Sequence, residues 1–375
     1  MKKLIVGLLV LTMAVSMFGC KKKSEVTETT EEVETMATNH NGEVRSYLTG
    51  KWVSKEVAAQ RPLACMISNQ PEAPNQSGIS QASIVYEVPG EDNYATRFMG
   101  IFEDWEDIKQ IGSVRSCRTY YIYYMLEFDS IYAHAGQCAY ALPTLEQDFV
   151  DNISSVKGTD ADAFFIVEEA NRSKEHKLHT SGEKILEKAK EKGYSLTHDS
   201  DYQGHYIFNE DDDNLVTPEG GETAEIVVPG YSINKPWFAF DSDKHVYYRY
   251  QYRKELGESK YSPVKQTDRV NNEVLEYNNI ILQYSSFGTY DDTHYWNIDC
   301  VSGGKGKFIT NGKAIDITWK KDSEYGVTHY YDLNGKEITL NQGKTWVCII
   351  NNKDTDKIEI TTKANAKNPD IKEAK

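Results

Sequence analysis

The sequence predicts an α+β protein: a mixed α/β N-terminal domain followed by a β-rich C-terminal domain, both carried behind an export leader. Three observations predict it. Short apolar runs alternate with helix-period segments between residues 61 and 193; from residue 222 onward the runs are strand-like and joined by tight turns; and the first twenty residues have the order of a bacterial lipoprotein leader.

Lys2 and Lys3 precede an apolar run over residues 4–18, closed by Gly19 and Cys20. That run is too short to span a bilayer comfortably, so residues 1–19 read as a signal peptide. The Cys20 thiol is then the acceptor of a diacylglycerol thioether, and two or more acyl chains hold a protein stably at a membrane, here on its extracytoplasmic face. Residues 24–41 are polar and acidic without an apolar period, and anchor and disordered tether together take residues 20–45.

The N-terminal α/β domain is expected over 55–218. RPLACMISN reads as a buried strand, with SIVYEV and YATRFMGIF as two more. After Gly112 the period changes. Ser116 caps a helix through TYYIYYMLEF to about Phe128, and SIYAHAG returns as a strand ending in glycine. ALPTLEQDFVDNI reads as helix and AFFIV as a buried strand; Thr180 and Glu183 form a capping box that opens an amphipathic helix stopping at Gly193. The turn-rich, acidic stretch from 199 to 222 marks a boundary.

The C-terminal β-rich domain is expected over 222–363. In HVYYRYQYR, Val246, Tyr248, Tyr250 and Tyr252 fall on one face and Tyr247, Arg249 and Arg253 on the other. Asn311-Gly312 and Asn334-Gly335 are hairpin turns needing positive φ twice. Residues 364–375 read as a charged, disordered tail.

With 57 acidic against 42 basic side chains and a formal net charge of -15, the chain argues against nucleic acid as a partner. An anionic ligand needs a local exception to that field. GSVRSCR, residues 112–118, is one. A helix runs antiparallel to the strand that follows it, which sets Arg115, Ser116 and Arg118 at the helix start beside His134, Ala135 and Gly136. Free amides, guanidiniums and an imidazole there suit a carboxylate or phosphate, and Gly136 permits close backbone approach. Arg172 and His176 form a second such group ahead of the next helix. Against this stands plain ion pairing of Arg115 and Arg118 with Glu87, Glu91 or Glu103, and both readings stay open.

Catalysis is not expected. Glu87 and His134 are the candidate acid and base for hydrolysis of an envelope glycan or phosphodiester, but no Ser-His-Asp or paired-carboxylate spacing accompanies them. His176 and His179 lack a third ligand with suitable spacing, so no metal is expected. GKT at 343–345 has Ile338 where a nucleotide loop needs glycine, and no cofactor is expected. Beyond Cys20, the cysteines Cys65, Cys117, Cys138, Cys300 and Cys348 are odd in number and without CxxC spacing, which leaves one disulfide open.

RPLACMISN, SGISQASIVYEV, TRFMGIF, IGSVRS, IYAHAG, HTSGEKI, SGGKGKF and NGKEITLNQGKTWV, in that order, resemble the YerB-like lipoprotein family over nearly all of residues 61–350. The resemblance implies a lipid-anchored, extracytoplasmic protein with an α+β N-terminal and a β-rich C-terminal domain, and no established reaction. Two segments depart from the family pattern. Glu175-His176-Lys177 stands where Pro-His-Asn is expected, and Gln137-Cys138-Ala139 replaces a small-polar and proline pattern. The expected function is binding of an anionic or carbohydrate cell-envelope ligand by a membrane-anchored lipoprotein; a hydrolase and a protein-interaction scaffold are the alternatives. The expected partners are the membrane, through the lipid anchor, and an envelope polymer or envelope protein.

Overall fold

The computed structural model describes His40 and residues 42–91, 95–168, 172–254, 260–290 and 294–373. The signal peptide, Cys20 and most of the expected tether lie outside the described residues.

The fold is α+β, a mixed N-terminal part followed by a β-rich C-terminal part, but one eleven-stranded sheet runs through both. Its order is Glu222–Thr223, Lys313–Lys321, Gly304–Thr310, Asn279–Ser285, Thr345–Asn351, Ile84–Val88, Arg97–Phe102, Leu63–Ser68, Ile131–His134 and Asn152–Ser154, with Thr328–Asp332 beside Lys313–Lys321. At the seam, Thr345–Asn351 and Ile84–Val88 pair in parallel, Cys348 opposite Glu87. Every residue of Ile84–Val88 is buried, so its side chains do not alternate between apolar and exposed polar, and its one charged residue, Glu87, is enclosed with the rest. Such a strand cannot be left as an edge. The stretches 55–218 and 222–363, expected as separate domains, therefore complete one sheet between them.

Alternate residues of this sheet feed two cores. Cys65, Ile67, Val85, Phe98 and Trp346 face a six-stranded sheet containing Ile226–Val228, Trp237–Asp241 and Val246–Arg253, along with Ile185 and Ala189 of the helix Gly182–Lys192. Ala64, Met66, Tyr86, Met99 and Val347 face the helix Thr119–Leu126.

Several local expectations change. The helix after GSVRSCR begins at Thr119 with Arg118 in the cap position, and Ser116 Oγ instead donates to Ala135 O at 2.8 Å. Ser181, not Thr180, caps the helix Gly182–Lys192, because Thr180 closes the strand Leu178–Thr180 and donates to Ala163 O at 2.7 Å. Gly193 ends that helix at φ 73°, as its position predicts. ALPTLEQDFVDNI is helical only over Leu142–Leu145; its end becomes Asn152–Ser154, drawn into the sheet by parallel pairing with Ile131–His134. Asn311 at φ 46° and Gly312 at φ 73° make the expected hairpin, while Glu337 beyond Gly335 meets Tyr331 only in an isolated bridge.

Both expected disordered ends are partly ordered. Val44–Arg45 pairs with Trp52–Val53, and Arg45 sits 4.1 Å over the Trp52 ring and 2.7 Å from Asp212. The tail forms Pro369–Glu373, with Ala366 and Ile371 buried against Trp237 and Tyr250. Apolar side chains in a short charged segment thus find a surface that composition does not reveal. All five described cysteines are free and buried.

Candidate functional site

Segment 112–118 is laced across the strand ends by its main chain. Arg115 N donates to Met66 O at 3.0 Å, Ala135 N to Arg115 O at 2.9 Å and Cys117 N to Gly136 O at 2.9 Å. The structure thus brings Arg115, Ser116 and Arg118 alongside Ala135 and Gly136, where Gly136 has φ 75°.

Both guanidiniums are already answered by carboxylates. Arg115 donates to Gln70 Oε1 at 2.7 Å and to Glu175 Oε2 at 3.1 Å. Arg118 forks onto both oxygens of Glu91, donates a third bond to Cys117 O at 2.9 Å and lies 5.1 Å over the Tyr295 ring. Burial alone would raise the Glu91 carboxyl; the bond from Arg118 and the charge of Arg97 outweigh it and keep that group ionised.

His134 points inward. It is fully buried, its Nδ1–H donates to Gly136 O at 2.8 Å, and burial pushes its pKa down to about 4, so it is neutral at physiological pH and adds no cation to the surface. Glu87 is equally enclosed. Arg249 Nη2 bonds its two oxygens at 2.8 and 2.9 Å, Thr96 Oγ1 donates at 2.6 Å and Trp346 Nε1 at 3.0 Å. The candidate acid and base are therefore each sealed in the core with separate partners, because polar groups so deeply buried must be hydrogen-bonded. A polymer could reach neither without opening the core.

The second expected group joins the first, although burial and the nearby Arg115 disfavour the charged form of His176. His176 is buried, and its Nε2 lies 3.8 Å from Glu175 Oε1, the carboxylate that Arg115 also holds. Arg172 donates to Glu72 O in the same neighbourhood. Among the described residues no group of three His, Cys, Asp or Glu side chains could hold a metal ion.

Sequence reasoning missed an open cleft of about 620 Å³ beside the helix Thr119–Leu126, lined by Thr119, Tyr123, Tyr140, Thr144, Tyr290 and Asn297 among others. Tyr140 and Tyr290 stack at 4.3 Å with an interplanar angle of 7°, and Tyr295, which carries Arg118 on its face, meets Tyr140 edge-on at 6.2 Å. Beyond the cleft, Tyr123 leads to the exposed pair Tyr325 and Phe149, whose rings are 5.1 Å apart. The tyrosine-rich helix was visible in the sequence; its meeting with Tyr290 was not. A larger hollow of about 940 Å³ lies against strands Gly304–Thr310 and Lys313–Lys321. Its Lys307 is committed to Glu222 at 2.7 Å and Asp316 at 3.1 Å, and Phe308 is nearly buried, so it offers no comparable stacking face.

Comparison with known proteins agrees with this architecture. Residues 48–195 match the N-terminal domain, and residues 226–347 the C-terminal domain, of the family described as Protein of unknown function (DUF3048). YerB of Bacillus subtilis (strain 168), a protein named as a lipoprotein, is 27% identical over 332 residues, covering 88% of this chain and 90% of that one. The crystal structure of the YerB protein from Bacillus subtilis matches with a TM-score of 0.70 at 27% identity, over 85% of this chain and 99% of that chain. Among the described residues no helix is long and apolar enough to cross a membrane. Matched in both halves and along nearly the whole length of a relative, the chain belongs to the YerB-like lipoprotein family.

Proposed function

We propose that this protein is a non-catalytic receptor, tethered by lipid at Cys20 to the extracytoplasmic face of the membrane, that holds a hydroxyl-rich cell-envelope carbohydrate in the tyrosine-lined cleft. The cleft itself carries the reading. Its volume of about 620 Å³ falls among small-ligand sites. Tyr123, Tyr140 and Tyr290 offer ring faces and edges for the C–H surface of a sugar, while Thr144, Asn297 and Asp299 supply hydroxyl, amide and carboxylate groups for its hydroxyls. A neutral glycan is favoured over a polyanion in this cleft because Glu91 already matches Arg118, the arginine beside it. Binding is favoured over hydrolysis because Glu87 and His134 are sealed.

Isothermal titration with chito-oligosaccharides and muropeptides is the direct test. The wild type is expected to bind a member of that panel saturably, and Tyr140→Ala and Tyr290→Ala, folded by circular dichroism, to bind it about 10-fold more weakly or worse. Absence of saturable binding across the panel overturns the reading. The anchor is tested separately: Cys20→Ser is expected to move the protein from the membrane to the soluble fraction, and continued membrane recovery would refute lipidation at that thiol.

A further inference from the structure

The cationic cluster at Arg115 holds a carboxylate that belongs to the chain itself. Glu175 places Oε2 3.1 Å from Arg115 Nη1, while its Oε1 accepts from Ser173 Oγ at 3.4 Å and lies 3.8 Å from His176 Nε2. The two sides of this contact are built differently. Arg115 is anchored, with its main-chain N on Met66 O and its Nη2 on Gln70 Oε1 at 2.7 Å, and its side chain is only 12% exposed. Glu175 rides on the single turn Lys174–His176 and is 58% exposed.

Burial and the nearby Arg97 weigh against the charge of Arg115, and the Glu175 carboxylate offsets part of that penalty. Beside it, His176 is 5% exposed and its buried Nδ1 has no hydrogen-bond partner among the described residues. A guanidinium kept from water at a fixed position needs an anion, whereas an exposed glutamate loses little by swinging back into solvent. The geometry points to a carboxylate-binding site formed by Arg115, Ser173 and His176, which Glu175 occupies as an internal stand-in and which the carboxylate of an envelope ligand takes over by displacing it. Glu175 and Arg115 stand in separate motifs, 60 residues apart, and Glu175 lies in one of the segments that depart from the family pattern. The site is independent of the tyrosine cleft and survives if that reading fails.

The test is chemical rescue of the full-length protein, followed by thermal unfolding at pH 7 in acetate against chloride of equal ionic strength. Wild type is expected to show a much smaller acetate-specific change than the Glu175 variant, because acetate must there compete with the attached carboxylate for the same site. Glu175→Ala is expected to lower Tm and saturating acetate to restore at least half of the loss, as binding to the folded state requires. Arg115→Ala/Glu175→Ala is expected to show no restoration. Should Glu175→Ala fail to fold, Glu175→Gln carries the same comparison. Equal effects of acetate and chloride on the single variant, or equal rescue of the double variant, overturn the site. Rescue by phosphate but not acetate overturns its assignment to a carboxylate.

Discussion

Arg249→Met is expected to lower the free energy of unfolding by about 3–5 kcal/mol, since it strips the counter-charge from a carboxylate that has no route to water. Glu87 and Arg249 are both fully buried, from opposite halves of the chain. The guanidinium lies 4.6 Å over Trp346, 5.0 Å over Phe98 and 5.8 Å over Phe238, and its second nitrogen donates to Gln251 Oε1 at 3.1 Å. Methionine keeps much of the volume but leaves Glu87 with only the neutral donors Thr96 and Trp346. Urea unfolding at pH 7 measures the loss. In a double-mutant cycle, Glu87→Gln/Arg249→Met should cost clearly less than the two single changes added, because the second removes the charge that the first strands. A loss below about 1 kcal/mol for Arg249→Met, the worth of an exposed pair, would show that the pair is open to solvent.

Lys321→Met is expected to be comparably severe at neutral pH, by about 3–5 kcal/mol, and far milder in acid. Glu127 is fully buried and is met by Lys321 Nζ at 2.6 Å, His205 Nε2 at 2.9 Å, Thr328 Oγ1 at 2.8 Å and Thr328 N at 3.2 Å. Burial alone would raise its carboxyl, but Lys321 and His205 outweigh burial and hold it at about 2, well below the usual carboxylate range. A depressed carboxyl stabilises the fold fully above its unfolded pKa, and the contribution is lost as pH falls toward the folded value. In Lys321→Met the ammonium is gone and burial raises the carboxyl, so acid relieves the variant while it weakens the wild type. Tm measured from pH 7 down to pH 3 should therefore converge for the two proteins. Parallel curves would contradict the assignment.

The arginine cluster shows where sequence reasoning stops. Glu87, Glu91 and Glu103 were the candidate acids for Arg115 and Arg118. Of these, Glu91 pairs with Arg118, 27 residues away, while Glu87 pairs with Arg249, 162 residues away. Glu103 accepts from Ser46 Oγ at 2.6 Å, and burial raises it to about 7. Arg115 takes Glu175, which no local rule nominates. Arg249 itself was placed correctly on one face of its strand, opposite Tyr248 and Tyr250, yet that face turned out to be the core.

What the sequence determined alone is what neighbours in the chain decide together. The strand runs around Leu63–Ser68 and Ile84–Val88, the positive-φ turn at Asn311 and Gly312, the stop at Gly193 and the family motifs all depend on residues a few positions apart. Tertiary structure decided the single sheet across both halves, the two buried ion pairs, the burial of His134 and the stacking of Tyr140 on Tyr290. Charge pairing and ring stacking have no period along the chain. They depend on which distant surfaces meet, and only folding settles that by burying both at once.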